Sequence, residues 1–174
     1  MGSYCHHSFQ LNISPPPPQG VKVGIGVSPA ELLSFGFNLP VELSTATCDR
    51  KKATPDPLLS LLVMAHFDTG ASITSIDIGL AMHLKLTAKG YSNSLTASGI
   101  QRMPNFVIDA AFPNTSLSPF ANLKIGSCKL NFDLPKALSD PNDPKNFGIL
   151  LGRDIMSRWN IVWNGPTSSV FIND

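Results

Sequence analysis

The stretch Leu58-Leu59-Ser60-Leu61-Leu62-Val63-Met64-Ala65-His66-Phe67-Asp68-Thr69-Gly70-Ala71-Ser72 decides how this chain is read. From Leu58 to Phe67 only Ser60 and His66 interrupt an apolar run. The run is too short to cross a bilayer as a helix. A short apolar segment ended by a turn signal reads as a strand buried on both faces. Asp68-Thr69-Gly70 ends it, because Asp and Gly are turn formers and Gly accepts backbone angles other residues avoid. Asp68 is the first candidate for chemistry.

Working outward, Ile73 to Ile76 is extended again, and Asp77 to Leu86 reads as a helix with Leu80 and Leu84 on one face. Asp77 stands at its start, where the helix dipole favours negative charge. Upstream, Val21, Val23 and Ile25 alternate as in a strand, and Ser28-Pro29-Ala30-Glu31 reads as a helix start with Ser28 as N-cap. Thr47 to Pro57 reads as a loop. Downstream, strands are expected at Leu95 to Gly99 and Phe106 to Phe112, then at Leu123 to Ile125 and Leu130 to Phe132 around Gly126. Ser139 to Asn146 is a loop, Gly148 to Leu151 a short strand and Asp154 to Arg158 a short helix. Asn160 to Trp163 and Ser168 to Ile172 form a hairpin across Asn164-Gly165. Many short strands with two or three helices imply a mainly β fold closed on itself.

A second signature lies downstream: Ile149-Leu150-Leu151-Gly152-Arg153-Asp154. Together with Ala65-His66-Phe67-Asp68-Thr69-Gly70-Ala71-Ser72, and in this order, it resembles the retropepsin-like aspartic peptidases, the single-domain relatives of retroviral proteases. The resemblance spans Val21 to Ile172 and is sharp over residues 65–76 and 149–163. It implies a closed β-barrel of the acid-protease type, one lobe per chain, with two or three short helices. It also implies an aspartic endopeptidase with Asp68 as the catalytic carboxylate, and with Thr69, Gly70, Ala71 and Ser72 supporting its turn. Leu151, Gly152, Arg153 and Asp154 would be the structural signature, Gly152 allowing close packing and Arg153 making buried polar contacts. Retroviral members often carry an acidic residue where Ser72 stands, so Arg153 needs another partner, and Asp154 is not assumed to be it.

Peptide hydrolysis of this kind uses two carboxylates sharing one proton, one as base toward water and one as acid toward the scissile carbonyl. The chain holds a single Asp-Thr-Gly and no Asp-Ser-Gly. One turn per chain implies a C2 homodimer with the site on its axis, Ser168 to Ile172 lying in the interface. No metal and no cofactor is called for. The partners are a second copy and a peptide or protein substrate, bound extended under a flap at Thr96 to Pro104 that includes Ser98, Gly99 and Ile100. His66, two residues from Asp68 on a strand, shares its face and is expected in the cleft, where an imidazolium would favour acidic substrates. Two alternatives stay open: a non-catalytic peptide-binding or dimerisation module, and a protease acting only on its own precursor.

Composition sets the remaining bounds. The 174 residues suit one domain, with 43% hydrophobic and 14% charged residues describing a compact globule. Residues 1–20, with prolines at 15 to 18, form a stiff extension, and 21–174 the peptidase domain. A formal charge of +1 leaves no field to draw nucleic acid or an anionic membrane. Three cysteines, Cys5, Cys48 and Cys128, are odd in number and far apart, which argues against a disulfide framework and for a cytoplasmic setting. Met1 to Gln10 is polar with no apolar run after it, so no secretory leader is expected.

Overall fold

The computed structural model describes residues 36–50, 60–96, 99–164 and 169–174. Val21 to Ile25, the Ser28 helix start, the proline run and Asn164-Gly165's turn beyond Asn164 lie outside the described residues.

The described residues form ten strands and four short helices: β1 (Asn38–Thr45), α1 (Thr47–Arg50), β2 (Ser60–Phe67), β3 (Ser75–Asp77), α2 (Ile78–His83), β4 (Tyr91–Thr96), β5 (Gly99–Pro104), β6 (Phe106–Ala111), β7 (Phe120–Cys128), α3 (Leu134–Ser139), β8 (Phe147–Leu151), α4 (Arg153–Met156), β9 (Asn160–Asn164) and β10 (Ser169–Asn173). Six strands close a barrel in the order β1-β2-β8-β3-β7-β6. The fold is therefore mainly β and closed, as the sequence implies, with four helices in place of two or three.

The barrel interior follows from side-chain alternation. Leu39, Val41 and Leu43 of β1, Ile108 of β6, Ile125 of β7 and Ile149 of β8 are all buried in one cluster. Each large apolar side chain fully removed from water contributes about 1.5–3 kcal/mol. The centre of β2 buries three consecutive residues, Val63, Met64 and Ala65. That confirms a strand covered on both faces, paired antiparallel to β1 and parallel to β8.

Several expectations are corrected. β1 carries no sequence expectation, because Pro40 interrupts its pattern; β6 joins β1 only from Glu42 onward, so Pro40 sits where one side of the strand is open. Thr47–Arg50 is one turn of helix, where a loop is expected. Leu95 to Gly99 does not pair with Phe106 to Phe112. Instead β4 pairs with β5, Leu95 opposite Ile100, as a separate hairpin, and β6 pairs with β7. Gly126 does not turn the chain; it sits inside β7, and Leu130 to Phe132 is not a strand. α2 stops at His83, shorter than expected, and Lys85 adopts a positive φ of 52° two residues on. α3 is an unexpected helix, entered through Asp133, whose carboxylate accepts the Lys136 N–H, with Pro135 at its start.

The last hairpin, β9 with β10, lies apart from the barrel sheet but turns Val170 and Ile172 into the core cluster. Its other residues Val162 and Trp163 are about half exposed, at 48% and 53%. No helix among the described residues is long and apolar enough to cross a membrane.

Candidate active site

β2 leaves the barrel after Phe67, and the Asp68 N–H is caught by the Leu151 carbonyl at the end of β8, 3.1 Å away. The chain then folds on itself: the Ala71 N–H donates to the Asp68 carbonyl. The Asp68 carboxylate turns back into this loop. Its Oδ1 accepts the Gly70 N–H at 2.8 Å and the Ala71 N–H at 3.3 Å. Two amides on one oxygen fix the carboxylate's direction, and nothing else among the described residues bonds to it. A Cβ on Gly70 would stand 3.1 Å from that same oxygen, so the glycine lets the backbone approach it.

Beneath the turn runs a second set of bonds. Thr74 is buried; its N–H and hydroxyl both donate to Asp154 Oδ1, and its hydroxyl accepts the Gly152 N–H. A Gly152 Cβ would lie 2.5 Å from the Ile73 carbonyl carbon, so only glycine fits between β8 and the Asp68 loop. Close packing at Gly152 is thus observed. Arg153 holds the loop from outside, donating to the Thr69 carbonyl at 3.2 Å and to the Ser72 hydroxyl at 2.9 Å. Its side chain is exposed in the single chain. Asp154 bonds Thr74, not Arg153.

An open cleft of about 780 Å³ lies over the turn. Asp68, Gly70, Ala71 and Ser72 form its floor; Ser92 to Leu95 of β4 form one wall and Gly126 to Leu130 the other. The hairpin β4–β5 therefore contributes its first strand. Of the residues expected there, Gly99 and Ile100 lie on β5 and do not line the cleft, and Ser98 lies outside the described residues. Gly99, at φ +103°, pairs with Thr96 where the hairpin narrows.

His66 is also relocated. Its ring stacks on Phe147 at 4.8 Å, its Nδ1 meets the Asn38 amide oxygen at 3.0 Å, and Gly36 lies against its edge. It is not part of the cleft wall. Burial lowers its pKa, with the charge of Asp68 pulling partly the other way. The imidazolium expected beside Asp68 is therefore disfavoured by the very packing that holds the ring.

Sequence reasoning gave no role to Ser92 to Leu95, Thr74 or the Gly126 to Leu130 wall. Asp77 links that wall to the barrel: buried, it accepts the Gly79 and Leu80 N–H groups as N-cap of α2 and the Leu130 N–H as well. Cys128, in the wall, has its thiol pushed up to about 11, by burial first and then by Asp77 and Asp68. Among the described residues no group of three or more His, Cys, Asp or Glu is placed to hold a metal.

No family model matches the chain, and no curated protein matches it. Among solved structures it is similar to the crystal structure of a retropepsin-like aspartic protease from Rickettsia conorii, at 16% identity and a TM-score of 0.43. The match covers 78% of this chain and 81% of that one.

Proposed function

We propose that the protein is an aspartic endopeptidase, active as a homodimer in which each subunit contributes Asp68. The observation that carries this reading is the Asp68 carboxylate on the cleft floor, with Oδ1 held by the Gly70 and Ala71 amides.

A carboxylate held in this way has its second oxygen available for a proton or a water. This chemistry works with one proton shared between the two carboxylates, one member ionised and the other protonated. The ionised member takes a proton from water, which attacks the scissile carbonyl carbon. The protonated member donates to the carbonyl oxygen. The tetrahedral product collapses as a proton passes to the departing amine. Thr69 and Gly70 shape the turn, Ala71 adds an amide, and Ser72 with Arg153 steadies it. A peptide would lie extended between the β4 wall and the Gly126 to Leu130 wall, using main-chain hydrogen bonds for affinity and side-chain pockets for preference. One turn per chain requires the second carboxylate to come from another copy, and the β9–β10 hairpin, with Val162 and Trp163 half exposed, is the surface proposed to meet it.

The test is cleavage of a peptide library by the wild type and by Asp68→Asn. The variant should lose activity while keeping its fold and its association state. Cleavage retained by a folded Asp68→Asn protein overturns the assignment.

A further inference from the structure

We infer that Lys129 reads an acidic side chain of the bound peptide, so that one subsite of the cleft prefers Glu or Asp. The inference rests on reading the cleft as a peptide-binding site and adds the chemistry of what it selects.

Among the described residues lining the cleft, Asp68 on the floor is the one carboxylate and Lys129 on the wall the one amine or guanidinium. The rest of the described lining is hydroxyl, amide and aliphatic groups and the Cys128 thiol. Nothing among the described residues forms an ion pair or hydrogen bond with Lys129, in contrast to Lys89, which pairs with Asp49, and Lys136, which pairs with Asp143. A cation in a binding cleft with no partner among the described residues is available to an anionic ligand.

Its backbone is fixed on both sides. Cys128, immediately before it, is in register with Asp77 in the β3–β7 ladder. Leu130, immediately after it, donates its N–H to the buried Asp77 carboxylate at 2.9 Å. Lys129 thus rises from a rigid three-residue step on the wall, and ordering its base in advance reduces what binding must immobilise. The side chain itself is exposed, which suits selection of charge over shape: an ammonium is a point charge with rotatable donors and does not demand planar bidentate geometry. His66, the other cationic candidate near Asp68, is packed against Phe147 and Asn38, and burial lowers its pKa.

The experiment measures binding separately from cleavage. Fluorescein-labelled peptide libraries carry a central Glu, Gln or Lys among otherwise uncharged positions. Their affinity for the Asp68→Asn protein is read by anisotropy at about pH 6, where a glutamate side chain is ionised. The Glu library should bind roughly three- to tenfold more tightly than the Gln library. That ratio should shrink as salt rises from about 0.05 to 0.5 M. In a Lys129→Met background it should fall to about one, and in Lys129→Glu the Lys library should become the preferred one. An unchanged Glu-to-Gln ratio in Lys129→Met, no ratio in the parent protein, or no binding of any library overturns the inference. Wild-type protein then digests the same libraries. Binding with the expected ratio but without digestion removes the peptidase reading and leaves the role of Lys129 standing.

Discussion

The Gly152 N–H donates to the Thr74 hydroxyl across 3.0 Å, and the space where a Gly152 Cβ would stand is already filled by the Ile73 to Thr74 backbone. The two halves of the site, far apart in sequence, are joined at this contact. Gly152→Ala should therefore force backbone apart, because the nearest atom, 2.5 Å away, is main chain and not a side-chain tip. The expected loss is roughly 2–4 kcal/mol, seen as an earlier midpoint in urea unfolding. Unfolding at the wild-type midpoint would show that the strands can separate without penalty.

Thr74 tests the same contact from the other side. Its hydroxyl accepts from Gly152 and donates to Asp154. Thr74→Val keeps the shape but strands a buried N–H and weakens the hold on a carboxylate. It should cost about 1–3 kcal/mol, whereas Thr74→Ser, which keeps the oxygen, should lose less. Equal stabilities for the two variants would mean that the hydroxyl contributes little.

Arg153 acts on the loop and not on the core. Its guanidinium reaches the Thr69 carbonyl and the Ser72 hydroxyl from an exposed position. Under the proposed function, Arg153→Met should leave stability within about 1 kcal/mol of wild type. It should nevertheless lower kcat by roughly tenfold, since small misplacement of a reacting carboxylate weighs heavily on rate. Peptide hydrolysis at saturating substrate reads this directly, and an unaltered kcat would count against a positioning role.

His66 gives a prediction in pH. Burial lowers its folded pKa below its unfolded value of about 6.5. Between the two values the unfolded chain binds more protons than the folded one, so stability rises with pH. The contribution is complete above about pH 6.5 and is lost as pH falls from there through the folded value. Thermal midpoints measured from about pH 7.5 to 5 should decline, and His66→Gln should decline less steeply over the same window. Parallel curves for the two proteins would place the pH sensitivity elsewhere.

The fold and site were legible in the sequence to different depths, for physical reasons. The β2 run and the Asp68-Thr69-Gly70 turn were clear because a strand covered on both faces carries few polar residues to blur it. The Gly152 requirement came through the family resemblance, and the close backbone approach at Ile73 and Thr74 explains it. β1 was hidden by Pro40, and β4 by its polar surface: Ser92, Asn93 and Ser94 give no apolar alternation, since this hairpin forms a sheet separate from the barrel. The placement of His66 could not be read from its two-residue spacing to Asp68. The strand ends between them, and the turn re-aims Asp68 while the ring stays beside Phe147.

The shared site yields a mixing prediction that no single-chain enzyme would obey. If catalysis needs one Asp68 from each of two subunits, wild-type chains that pair with Asp68→Asn chains are silenced. With free exchange, adding an equal amount of the variant to a fixed amount of wild type should reduce activity to about half, and a fivefold excess to about one sixth. Activity of the wild type alone should also climb more steeply than its concentration when dilution splits the pair. The mixing requires incubation long enough for subunits to exchange, which a tagged wild type co-purifying with untagged variant would verify. Full activity retained in a mixture shown to have exchanged would mean that each chain carries a complete site, and the Asp68 pair would have to be abandoned.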